Sequence, residues 1–560
     1  MKKLSLTFLG TCSLFGINSM QGQSNLSKIK RPNILWISCE DISPRLGCYG
    51  DKVAHTPNID KLASQGALFT NVFSTAAVSA PCRSGIITGM YQTSIGTQHM
   101  RTSHIGRTDE LPTPYASVPP HYVKAFPEYL RAHGYFCTNN AKTDYQFSGP
   151  GDTPISIWDE CSKTADYKNR SNPNQPFFAI FNYTHTHESQ SWKEPFRTDP
   201  AKVIVPPYYP DTEPVRRSIA RHYDNNSTVD SLVGIHLKRL EEEGLAENTI
   251  VFFWGDHGDG LPRGKRWVYD SGTKIPLVVR WPGNIKPGTV IDDLISTIDL
   301  GPTVLAMAGV HKPYHMQGKV FLGNWKEQSR DYTVSARDRF DEDYDMVRTI
   351  RDKRFRYVRN YYPNLPKIIW VPFRNQSPVM KELLRLKAED KLTPDQAIWF
   401  ENTREPEELF DCIADPFQLK NLAYDPALSK ELERMRTALD NWRKETSDMG
   451  DISEEDMVAK MYPGGKRPKT SIPHFVPNTE NNRNLQISKG DTLKGPALIS
   501  IYCATQGASV VYTFDEGPNP HWLLYNGPIR LKPGKTTIRS QAVRYGYVQS
   551  EEQKASFVVN

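Results

Sequence analysis

Three short apolar runs, each stopping abruptly at polar residues, constrain this chain most. Pro32-Asn33-Ile34-Leu35-Trp36-Ile37-Ser38 leads to Glu40-Asp41, Phe177-Phe178-Ala179-Ile180-Phe181-Asn182-Tyr183 to Thr184-His185-Thr186-His187-Glu188, and Thr249-Ile250-Val251-Phe252-Phe253-Trp254-Gly255 to Asp256-His257. Runs this short and this apolar are the pattern of strands buried in a sheet. An open α/β sheet carries its sites at the carboxyl ends of such strands. Ser231 to Glu243, with Leu232, Ile235, Leu237 and Leu240, has helical character. Alternation of the two patterns over residues 30 to about 325 predicts one large α/β domain with a mixed sheet.

The chain of 560 residues, 38% hydrophobic and 24% charged, is long enough for several domains and fits no disorder class. A net charge of +6 without a block of Lys and Arg excludes a nucleic-acid arm, so attraction to an anionic substrate has to be local. Met1-Lys2-Lys3 followed by Leu4 to Ile17 reads as a signal peptide over residues 1–22, cleaved near Gly22-Gln23. A lipobox around Cys12 is the less favoured reading, because Thr11 is unusual before the cysteine. No later segment has the roughly 20 apolar residues of a membrane span, so the mature chain is expected to be periplasmic or secreted, without a transmembrane segment. Cys39, Cys48, Cys82, Cys137, Cys161, Cys412 and Cys503 lack CxxC spacing, which argues against a zinc site or a dense disulfide framework.

The expected organisation is a catalytic α/β domain at 30–330, a smaller α+β subdomain at 331–448, a linker or wrap at 449–485 and a β-sandwich module at 486–560. Tyr344 to Tyr357 reads as strands around a turn at Asp352-Lys353. Asp425-Pro426 opens a helix with Leu428, Leu432, Met435, Leu439 and Trp442 on one face. In the last segment, Ala508 to Phe514 and Thr536 to Val543 alternate as strands. That segment resembles the small sandwich of chitobiase-like glycosidases, with packing favoured over carbohydrate binding as its role.

Ser79-Ala80-Pro81-Cys82-Arg83, followed by Ser84-Gly85-Ile86-Ile87-Thr88-Gly89, resembles the signature of the type I sulfatases. In that signature a cysteine or serine, any residue, proline, any residue and arginine precede a helix ending in Thr-Gly. Cys82 is out of frame, because Ser84 and Ile86 stand where proline and arginine would be needed. The resemblance implies that a sulfatase-maturing enzyme oxidises Ser79 to formylglycine. A serine there leaves two origins open, a serine-type member or a cysteine replaced by design. Taken alone, the segment is also an ordinary helix N-terminus.

The resemblance extends over roughly residues 31 to 445 and implies an alkaline-phosphatase-like sulfatase fold, α/β with a large mixed sheet flanked by helices. It places Glu40, Asp41, Asp256 and His257, with Ser79, around a calcium ion, a hard cation suited to oxygen ligands. Arg83, Lys142, His187 and Lys265 are expected at the sulfate and the leaving group. His187 titrates near neutrality and can protonate a sugar oxygen, whereas His185 reads as structural. Lys265, in Arg263-Gly264-Lys265 before Asp270-Ser271-Gly272-Thr273-Lys274-Ile275-Pro276, resembles the family's Gly-Lys and Glu-Gly-Gly-x-Arg-x-Pro elements. Asp144 departs from the pattern Gly-Lys-x-His, and either pairs with Lys142 or reaches a substrate hydroxyl. With His99-Met100-Arg101, the variant resembles a bacterial branch labelled heparan N-sulfatase-like.

His99, Arg101, Asp144 and Glu188, with Arg337 and Arg339, are the expected sugar contacts. The expected function is hydrolysis of sulfate from a sulfated oligosaccharide or polysaccharide, an algal polymer such as ulvan or carrageenan, or a glycosaminoglycan or mucin glycan. Two alternatives stand beside it: a phosphodiesterase or phosphonate hydrolase of the same superfamily, and a non-catalytic relative that binds sulfated glycans.

Overall fold

The computed structural model describes residues 31–103, 110–148, 153–479 and 486–560. The expected signal peptide and Cys12 lie outside these residues. Eight strands form the central sheet: β1 (Asn33–Cys39), β2 (Ala67–Phe73), β3 (Phe136–Asn140), β4 (Glu160–Cys161), β5 (Phe177–Tyr183), β6 (Thr249–Gly255), β7 (Leu277–Arg280) and β8 (Thr289–Ser296). Their order is β4-β3-β5-β1-β6-β7-β2-β8, and β7 alone runs against the others. The sheet is therefore mixed, as expected.

Both faces of the sheet are covered, which explains why the middle of each central strand is apolar. Ile34, Trp36, Phe178, Ile180, Ile250, Phe252 and Trp254 enter one core, and Leu35, Ile37, Phe177, Ala179, Val251 and Phe253 the other. Successive side chains of a strand point to opposite faces, so a strand between two cores has no position left for a polar residue. Polarity begins only where β1, β5 and β6 run out. That places Glu40-Asp41, His187 and Asp256-His257 along one edge of the sheet.

A second, antiparallel sheet follows, ordered β12-β11-β10-β9 from β9 (Thr333–Arg337), β10 (Val347–Arg351), β11 (Phe355–Asn360) and β12 (Glu407–Asp411). The helix Ser429–Glu445 lays Met435, Leu439 and Trp442 on it, the face read from the sequence. Of the stretch expected as a linker or wrap, residues 449–479 are described. They hold a helix, Glu454–Met461, and a strand, His474–Asn478, that pairs with Leu498–Tyr502 of the terminal module. The helix is fixed by Glu454, which accepts from Arg339 at 2.6 and 2.7 Å and from Tyr115 at 2.7 Å.

The terminal module has a three-stranded and a five-stranded sheet around its own core. It is bound to the main domain: Glu128 accepts from Tyr545 and from Ser509 at 2.6 Å, and the rings of Phe147 and Tyr545 stack at 4.6 Å. All seven described cysteines are free thiols. No helix of the described residues is long and apolar enough to cross a membrane.

Candidate active site

Ser79 opens the helix Ser79–Thr88, which follows the loop after β2. Two long-range bonds fix that loop, Ser74 N to Thr273 O and Arg266 N to Ala77 O, both 2.7 Å. Gly89 ends the helix with a φ of +65°, and a Cβ there would also press on Met316 at 3.2 Å. Only glycine takes that turn without strain. Ser79 is 3% exposed, with Oγ 3.4 Å from both Glu40 Oε1 and His257 Nε2. The helix N-terminus adds partial positive charge at this point. Cys82 points elsewhere: its thiol donates to the Asp256 carbonyl at 2.9 Å, and burial pushes it up to about 12.

Asp41, Asp256 and His257 bring one donor atom each to within 4.8 Å of one another, all fully buried. His257 Nε2 is 3.0 Å from Asp41 Oδ1. Asp256 Oδ1 accepts from the backbone N–H of Asp41 at 3.1 Å and of His257 at 2.9 Å, so the two strand ends lock each other. Burial alone would raise the pKa of Asp41, but Lys265, His257 and His187 hold it well below the usual carboxylate range. Gly260 keeps the space beside it open, since a Cβ there would stand 3.0 Å from Asp41 Oδ2. Crowded buried carboxylates with one imidazole fit a divalent cation with oxygen preference. The donor set has no thiolate.

Cations surround this acidic floor. Lys265 Nζ lies 2.9 and 3.1 Å from the two oxygens of Asp41, and its pKa is raised by Asp41 and Glu188 against the effect of burial. Lys142 contacts Glu40 and stands 2.8 Å from Asp144. Arg83 donates through Nε to Asp256 at 3.0 Å and through Nη1 to Asn182 at 2.9 Å, while its buried Nη2 has no protein partner. His187 holds Ser189 Oγ at 3.0 Å through Nδ1, which leaves Nε2 for other work. Burial, and then Lys265, lower its pKa below the ordinary histidine value.

The arrangement can bind a tetrahedral anion over Ser79 between buried cations, with an imidazole at its side. The sequence model described as Sulfatase matches residues 32–310, and that described as N-sulphoglucosamine sulphohydrolase, C-terminal, matches 258–369. An ulvan-active sulfatase of Formosa agariphila is 40% identical over 93% of this chain and 91% of its own length. The chain belongs to the sulfatase family. It is thus a sulfuric ester hydrolase with the alkaline-phosphatase-like sulfatase fold. Human N-sulphoglucosamine sulphohydrolase is 25% identical, over 76% of this chain and 92% of its own. Among solved structures, a 2-O GAG sulfatase shares the fold with a TM-score of 0.55 and 22% identity, covering 75% of this chain and 93% of that one.

Within this sulfatase, the structure brings Ser79, Arg83, Lys142, His187, Lys265, Glu40, Asp41, Asp256 and His257 to one place. Asp144 takes the first of its two expected options, pairing with Lys142. Several expected sugar contacts go elsewhere. Glu188 is buried, both its oxygens held by Arg266 at 2.8 and 2.9 Å, so it is not open to a sugar. His99, 5% exposed, packs on Tyr344, and burial lowers its pKa to about 4. Arg339 is spent on Glu454, and Arg337 lies buried 3.2 Å from Asp345. Arg101 remains, its side chain 42% exposed and bonded to Asp341 at 2.6 Å. Sequence reasoning missed Asn182, which accepts from Arg83, and Arg266, which holds Glu188. Asn182 alone carried a signal, being the one amide in an apolar run.

Proposed function

We propose that the protein removes sulfate groups from a sulfated algal polysaccharide of the ulvan type, using formylglycine formed from Ser79 and a calcium ion. The observation that carries this reading is the position of Ser79, at a helix N-terminus between Glu40 and His257, beside a carboxylate cluster paired with half-buried Lys142 and buried Lys265. The similarity to the ulvan-active relative over nearly the whole chain favours that polymer over glycosaminoglycans or mucins.

Ser79, at the helix N-terminus, is the residue that would carry the formylglycine, whose hydrate would supply the nucleophile toward sulfur. Asp41, Asp256 and His257, with Glu40 alongside, would hold calcium, which would supply positive charge at the sulfate. Lys265 and Lys142, both kept protonated by their carboxylates, offset further charge on the same oxygens, a preorganised electrostatic role. Arg83 fixes Asp256 and offers Nη2 to the bound anion. His187 Nε2 gives a proton to the sugar oxygen as its bond to sulfur breaks. Export through the segment 1–22 to the periplasm or beyond, and encounter with a sulfatase-maturing enzyme, complete the reading.

The test is to coexpress the chain with an anaerobic maturase, weigh the peptide spanning Ser79 and assay sulfate release from ulvan oligosaccharides. Loss of two hydrogens at Ser79 with sulfate release is expected. An intact serine with no turnover, or faster cleavage of matched phosphate esters, would overturn the reading.

A further inference from the structure

One aromatic ring at the site's rim, that of Phe373, meets side chains from two other parts of the chain. The ring of Phe373 lies 6.2 Å from that of His187 and 5.2 Å from that of Trp192, and the Arg101 guanidinium sits 5.7 Å from its centre. Phe373 and Trp192 are half-buried, neither enclosed in a core nor fully in solvent. Arg101 is braced by its Nε, which donates to Asp341 Oδ1 at 2.6 Å. Asp341 is itself shared with buried Arg266 at 2.7 Å, so one carboxylate serves two cations.

His187 fixes where the leaving oxygen must be. The sugar bonded to that oxygen then has to lie within reach of the neighbouring ring, Phe373. We propose that Phe373, Trp192 and Arg101 form the subsite for the sugar that loses its sulfate, the rings taking an apolar C–H face and Arg101 an anionic substituent, a carboxylate or a second sulfate. This rests on the sulfatase reading and adds the class of sugar the site selects. The energetic logic is ordinary. A half-exposed aromatic ring offers apolar area at little entropy cost, and a braced guanidinium forms strong, directional bonds to a planar or tetrahedral anion.

The binding test uses the chain with Ser79 unmodified, so that no turnover intervenes, and calorimetry with three disaccharides. One carries a leaving sulfate and a uronate, one the same sugar with its carboxyl reduced, and one a second sulfate in place of the carboxylate. Phe373→Ala is expected to weaken binding of the uronate disaccharide about tenfold, and Phe373→Trp to restore it. Arg101→Gln is expected to lose the preference for the charged disaccharides over the reduced one. Which charged ligand loses more identifies the anion. In matured enzyme, Phe373→Ala should raise KM for the oligosaccharide about tenfold more than KM for a small aryl sulfate.

The proposal fails if Phe373→Ala and Phe373→Trp weaken all ligands alike while lowering the melting temperature, the mark of a packing role. It also fails if Arg101→Gln keeps the preference for charge. Failure of wild-type protein to bind or desulfate any of these sugars would instead sink the proposed ulvan-type substrate on which it rests.

Discussion

Lys265 and Asp41 form a fully buried ion pair in which one ammonium faces both carboxylate oxygens, at 2.9 and 3.1 Å. Removing one partner of such a pair strands the other charge, at a cost of about 3–5 kcal/mol. Lys265→Met should therefore lower the melting temperature markedly in chelator, and added calcium should recover part of the loss by neutralising Asp41. Sulfate release should fall by about 10²–10³. Equal melting temperatures for the variant with and without calcium would contradict this account.

The acidic cluster makes a separate prediction about metal. Asp41 and Asp256 repel each other, and a bound cation stabilises only the folded state. Calcium should raise the melting temperature of wild-type protein, and a chelator should abolish activity. Asp41→Asn should remove most of the calcium-dependent shift, measured by differential scanning fluorimetry.

His187 sets a pH limb. Its pKa lies below the ordinary histidine value in the free protein, so the ring is neutral above that point. If the proton it carries is needed, kcat/KM falls about tenfold per pH unit as pH rises beyond this pKa. His187→Gln should flatten that limb and slow sugar sulfates more than aryl sulfates, whose leaving groups need no proton. A limb unchanged in the variant would assign the proton to another group.

Glu454 should act on stability alone. It is 2% exposed, accepts from Arg339, Tyr115 and Tyr344, and is held at about 2, burial being outweighed chiefly by Arg339. A carboxyl depressed in the folded state stabilises above its unfolded pKa, near 4.5, and loses that contribution as pH falls toward 2. Glu454→Ala should cost about 3–5 kcal/mol at neutral pH. The difference from wild type should shrink in acid unfolding curves over that window.

The frame of the modification motif can be tested directly. Cys82→Ala removes a thiol that faces the Asp256 carbonyl and the core, and should keep both processing and turnover. Ser79→Ala should fold normally and release no sulfate. Loss of activity in Cys82→Ala with an unchanged melting temperature would shift the modified position.

What was legible in the sequence was local. An apolar run fixes a strand, its end fixes where polarity resumes, and β6 falls on Thr249–Gly255 as read. Because β1, β5 and β6 are parallel neighbours, their ends had to converge, and Glu40, Asp41, His187, Asp256 and His257 followed from that. The helix of Ser79 was readable for the same reason, since proline, small residues and a closing glycine act within a few positions. The helix Glu454–Met461 was not legible in its Pro- and Lys-rich surroundings, because the contact that holds it, Arg339 to Glu454, spans 115 positions.

By itself the sequence determined the strands and the residues delivered at their ends, both products of short-range pattern. Only the tertiary structure decided which charges are spent on each other. Glu188 and Arg266, 78 positions apart, are removed from the substrate by their pairing, while Arg101 and Phe373 are left at the rim. The reason is physical. A buried charge must find a partner wherever the chain brings one, and no periodicity in the sequence records which partner that is.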